Sequence, residues 1–122
     1  SSSIRSSVAQ AKADLAQSLR DLAERFGAQY GQRGDYPAWE FKKDSPLRET
    51  MIRVFREQYG REPVVEAIHA GLECGLFAGK VPGLDAVSFG PDLRDVHSPR
   101  ERMDIASVAR TWTYLLGILA AL

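Results

Sequence analysis

Leu84-Asp85-Ala86-Val87-Ser88-Phe89, followed by Gly90-Pro91-Asp92-Leu93-Arg94-Asp95-Val96-His97-Ser98-Pro99-Arg100-Glu101, decides how this chain is read. The first part reads as a short apolar strand, the second as a rigid loop with flanking prolines that carries one histidine. A helix then starts near Asp104, and its apolar positions Ile105, Val108, Trp112, Leu115, Leu116 and Leu119 predict the buried face. Upstream the same order occurs. Pro63 opens Val64-Val65-Glu66-Ala67-Ile68, a strand candidate that delivers the turn His69-Ala70-Gly71-Leu72-Glu73-Cys74-Gly75, and Leu72 to Ala78 predicts a short helix. Strands alternating with helices imply an α/β fold in which helices cover a sheet.

Working back toward the N-terminus, Ser45-Pro46 is a helix start: the hydroxyl accepts from orphan amides, and proline takes the first helical position, where no N–H is needed. Leu47, Met51, Val54 and Phe55 form the stripe expected to be buried, and Tyr59-Gly60 closes the helix. Before it, Ser2 to Val8 reads as a short strand with Ser6 or Ser7 capping a first helix. That helix presents Val8, Leu15, Leu19, Leu22 and Phe26 inward, leaves Lys12 mostly on the wet side and ends at Gly27. Ala28 to Gln32 is a further strand candidate, and Gly34-Asp35-Tyr36-Pro37 is turn chemistry. A seam near Asp44-Ser45 separates a strand-helix-strand layer from the alternating unit that follows.

The 122 residues, 44% of them hydrophobic, suffice for one modest core. Sixteen basic side chains balance sixteen acidic ones, so no net field favours nucleic acid or an anionic membrane surface. No apolar run approaches the roughly 20 residues that span a bilayer. The single cysteine, Cys74, cannot form an intrachain disulfide, and the expectation is a soluble, cytoplasmic protein. The chain starts Ser1-Ser2-Ser3 without methionine or signal-peptide character, which suggests a cut end.

His97 sits where a strand would deliver an imidazole to a cleft, with one ring nitrogen free for a metal. The alternative is a surface or capping histidine. The His69 turn brings together an imidazole, the Glu73 carboxylate and the Cys74 thiol, with Gly71 and Gly75 allowing close backbone approach to a ligand. Its bland counterpart is a strand-to-helix turn in which Glu73 favours the helix dipole. Arg5 offers a planar fork suited to a carboxylate, or else a surface salt bridge. Trp39 either lines a ligand or packs under its loop. Zinc takes three or four protein ligands, and two histidines with scattered carboxylates do not make a complete site.

The runs His69-Ala70-Gly71-Leu72-Glu73-Cys74-Gly75-Leu76, Pro82-Gly83-Leu84-Asp85, Ser88-Phe89-Gly90-Pro91 and His97-Ser98-Pro99-Arg100-Glu101 resemble the C-terminal part of the zinc-dependent aminoacyl-histidine (Xaa-His) dipeptidases. These enzymes are relatives of carnosinase and aminoacylase. The resemblance implies that residues 1–44 are the second half of a lid domain of the dimerisation type, and that 45–122 close the catalytic domain of a di-zinc exopeptidase. It implies two divalent metals per full-length subunit, with His97 as one ligand and the general base upstream of this chain. It further implies substrate-side roles for Arg5, which would grip the dipeptide's C-terminal carboxylate, and for His69 and Glu73. The expected partners are a dipeptide and the remainder of the same enzyme, and self-association is expected. The competing expectation is a non-catalytic α/β interaction module that keeps these motifs as structure.

Overall fold

The structure, a computed structural model, describes residues 2–69 and 72–122. Ala70 and Gly71 of the His69 turn, and with them the close-approach role expected of Gly71, lie outside the described residues. The element order is α1 (Ala9–Arg25), α2 (Pro46–Tyr59), α3 (Glu73–Lys80), β1 (Leu93–Arg94), β2 (Arg102–Met103) and α4 (Ile105–Ala121). The class is α/β, with helices and, among the described residues, one small antiparallel ladder. The chain forms two compact units, one of residues 1–43 and 65–86, the other of 44–64 and 87–122. No helix among the described residues is long and apolar enough to cross a membrane.

The second unit holds the buried apolar core: Met51, Val54, Tyr114 and Ile118, with Leu47, Phe55, Tyr59, Val87 and Ala121 packed around them. Burying each of the larger of these side chains contributes about 1.5–3 kcal/mol. Helix α2 begins as its sequence requires, with Ser45 Oγ accepting from the Arg48 amide at 3.1 Å and Pro46 in the first turn. It ends on Gly60 at φ 65°, a left-handed conformation that glycine adopts without a Cβ clash. Asp104 caps α4 by accepting from the Ser107 amide at 2.7 Å. Between the helices, the Tyr114 hydroxyl donates to the Met51 carbonyl at 2.8 Å, and Phe55 and Phe89 meet the Tyr114 ring edge-on at 5.4 and 5.3 Å.

The face of α4 differs from the expected one. Ser107, Tyr114 and Ile118 are buried, whereas Ile105, Trp112 and Leu119 are 84%, 60% and 61% exposed. This helix is apolar almost all round, so periodicity finds a stripe on more than one side and cannot choose between them. In the first unit, α1 likewise turns Lys12, Ala16, Leu19 and Ala23 toward its neighbours and leaves Val8, Leu15, Leu22 and Phe26 exposed. Lys12 is therefore not on the wet side. Its stem is covered, and its ammonium reaches Asp35 at 2.6 Å and the Tyr36 carbonyl. That ion pair holds the Asp35 carboxyl below its ordinary value.

The strands expected at 2–8, 28–32, 64–68 and 84–89 form no ladder among the described residues. A strand needs a neighbour to take its backbone bonds, and a β-rich pattern does not supply one. The ladder that does form, Leu93 opposite Met103 and Arg94 opposite Arg102, lies inside the stretch read as loop.

Candidate functional site

In the second unit, this ladder places His97 in the loop of a hairpin, residues 95–101. Asp95 and His97 both have positive φ, 53° and 64°. A non-glycine residue there costs about 1–3 kcal/mol and persists only where its surroundings fix it. They do so here. The Ser98 amide and hydroxyl both donate to the Asp95 carbonyl, at 3.1 and 2.7 Å. The Arg100 amide donates to Ser98 Oγ at 3.1 Å, and the Glu101 amide to the Ser98 carbonyl at 3.0 Å. Glu101 Oε2 accepts from the His97 amide at 3.0 Å, while Arg102 lies 3.4 Å from the Asp95 carboxylate.

The base of the loop is anchored to α4. The Asp92 amide donates to the buried Ser107 hydroxyl at 2.8 Å, and the Asp104 amide donates to the Asp92 carbonyl at 3.0 Å. All of these bonds but the Arg102–Asp95 ion pair engage the backbone, and no described residue hydrogen-bonds the His97 ring. The imidazole is exposed, with both nitrogens available. In the sequence Glu101 stands only as the end of the His97 motif, and its spacing of four from His97 is the signal for the carboxylate that holds the loop.

A metal ion fits this arrangement only in part. One free imidazole on a fixed backbone suits one ligand position. No group of three or more His, Cys, Asp or Glu among the described residues could hold the ion by itself.

The first unit carries the other candidates. Arg5 is exposed on the arm preceding α1, and no described residue pairs with its guanidinium. The helix cap expected from Ser6 or Ser7 takes a different form: Val8 is the N-cap residue, and Ser6 Oγ accepts from the Val8 amide at 3.1 Å. His69 Nδ1 accepts from the Ser7 amide at 2.9 Å, so the structure brings the His69 turn to the arm that bears Arg5. Glu73 is the exposed first residue of α3, and Cys74 is half-buried and free. Gly75 is buried, and a Cβ on it would lie 3.2 Å from the Pro37 carbonyl oxygen and 3.3 Å from Trp39 Cβ. The close approach that this glycine permits in the structure is to residues 37–39. Trp39 packs there, half-buried.

Comparison with known proteins agrees with these motifs. The chain is 36% identical over 116 residues to the cytosol non-specific dipeptidase of Escherichia coli, a match covering 95% of this chain and 24% of that protein. The crystal structure of aminoacylhistidine dipeptidase from Vibrio alginolyticus superposes with a TM-score of 0.80 at 36% identity, covering 96% of this chain and 24% of that one. The chain thus spans about a quarter of the length of both relatives. With residues 7–121 matching the model of Peptidase family M20/M25/M40, the chain belongs to that family.

Proposed function

We propose that this chain is the C-terminal part of a cytoplasmic, metal-dependent dipeptidase that hydrolyses dipeptides, Xaa-His among them. Residues 1–44 are the second half of its lid and 45–122 the closing segment of its catalytic domain. The observation that carries the reading is the His97 loop: a backbone pinned in the left-handed region by its own side chains, presenting an imidazole with no protein partner among the described residues. A histidine that served only to stabilise the fold would be bonded or packed. His97 is assigned as one metal ligand, and the remaining donors and the general base belong to the remainder of the enzyme.

When bound, a pair of zinc ions would supply water activation and carbonyl polarisation, with His97 holding one of them. The residues of this chain bind and orient. Glu101 and Ser98 keep the His97 backbone fixed, so the position from which the ring reaches its metal is set. Arg5 takes the substrate's C-terminal carboxylate through its two-pronged guanidinium, a geometry an ammonium cannot reproduce. His69 and Glu73 lie on the substrate side.

In the full-length enzyme, Arg5→Ala should raise KM for dipeptides at least tenfold with metal content intact, the loss expected of a charge-assisted pair worth about 1.5–3 kcal/mol. Arg5→Lys should recover only part of it. Normal dipeptide efficiency in the alanine variant would reduce Arg5 to a surface charge.

A further inference from the structure

The start of α1 is held by side chains from far along the chain. Its N-cap residue, Val8, has no polar side chain, although the first amides of a helix need acceptors. Ser6 Oγ takes the Val8 amide, while Glu40 Oε1, from 31 residues on, takes the Ala9 amide at 3.2 Å. A carboxylate there is also favoured by the helix dipole. Just before the helix, His69 Nδ1, from 62 residues on, takes the Ser7 amide at 2.9 Å. For Nδ1 to accept, the ring must be neutral with its proton on Nε2. Two remote side chains therefore fix the path by which the chain enters α1.

Arg5 lies two residues before Ser7 on that path. Two-pronged capture of a carboxylate needs the fork held to within about 0.5 Å, and neighbours that lock the approach supply that precision. We infer that His69 is a positioning residue: by accepting the Ser7 amide through Nδ1, it sets the arm that aims Arg5 at the substrate carboxylate, with Glu40 holding the adjoining turn. The inference rests on the carboxylate-binding role proposed for Arg5 and gives His69 a definite part in it. His69 acts through Arg5, not on the substrate directly.

The test uses the full-length enzyme and three variants, His69→Ala, His69→Asn and Arg5→Ala, together with the His69→Ala/Arg5→Ala double variant. Losing one hydrogen bond should raise dipeptide KM in His69→Ala by roughly three- to tenfold with kcat little changed. Asparagine places Oδ1 near the position of Nδ1 and should restore most of the binding. In the Arg5→Ala background, His69→Ala should add nothing. Hydrogen exchange of the peptide spanning Ser3–Gln10 should quicken in His69→Ala and return to normal in His69→Asn.

Multiplying KM effects in the double variant would overturn the inference by showing that His69 acts independently of Arg5, and so would no rescue by asparagine, by showing that the acceptor for the Ser7 amide is not what matters. So would unchanged KM and exchange in His69→Ala while Arg5→Ala is impaired, an outcome that leaves the proposed role of Arg5 standing. An Arg5→Ala enzyme with normal KM would remove that role and the inference together.

Discussion

At Gly117 α4 packs tightly against Val54 and Gln58 of α2, and Gly117→Ala tests the packing of the second unit. A Cβ built there overlaps the Gln58 amide and stands 2.9 Å from Val54 Cγ1. Gln58 can swing away, but it then gives up its 3.2 Å bond to the Thr113 carbonyl, a loss of about 0.5–1.5 kcal/mol. Val54 cannot yield so easily, being 4% exposed and stiff at χ1. Overfilling such a contact costs about 1–3 kcal/mol. Against this, alanine is favoured over glycine in a helix interior by about 1 kcal/mol. The steric term wins, for a net destabilisation of about 2 kcal/mol and a urea midpoint lower by roughly 1 M. Urea unfolding of the chain followed by circular dichroism would measure it. A Gly117→Ala chain as stable as the parent would refute the close approach of α2 and α4.

Burial, and next the charge of Tyr59, push the Tyr114 hydroxyl above its ordinary value of 10.0. A raised folded value means that the stabilisation is complete below the unfolded pKa and is lost as pH rises through the folded one. Urea midpoints compared at about pH 9 and about pH 11 should fall with pH, and Tyr114→Phe should flatten that fall; an equal slope in both chains would contradict the burial argument. The chain by itself should bind zinc only weakly by isothermal titration and should not hydrolyse dipeptides, because no metal-holding cluster exists among its described residues. Chelator-sensitive hydrolysis by the chain would overturn this. Light scattering should show self-association driven by the exposed Ile105, Trp112 and Leu119 face, and a strictly monomeric chain would show that face to be harmless.

Helix ends were the most legible feature of the sequence, because they are written in local chemistry. Ser45-Pro46, Gly60 and Asp104 do what their side chains dictate. Strands were not legible, because a ladder depends on a partner that the local pattern cannot name. The inward face of α4 was hidden by its nearly uniform apolarity, and that of α1 by small alanines and a lysine stem that pack where leucines were expected. Among the site candidates, sequence placed His97 on a loop but gave no hint of its positive φ, which emerges from bonds among Asp95, Ser98 and Glu101. The contact between His69 and Ser7 joins positions 62 residues apart, and no spacing rule could have found it.

The most direct test of the account is the metal content of the full-length enzyme carrying His97→Ala, measured per subunit alongside dipeptide turnover. Loss of a first ligand should weaken one metal position and remove most activity, while the hairpin stays folded because its bonds run through the backbone and Glu101. Full metal content and unchanged turnover in that variant would contradict the assignment of His97 as a ligand.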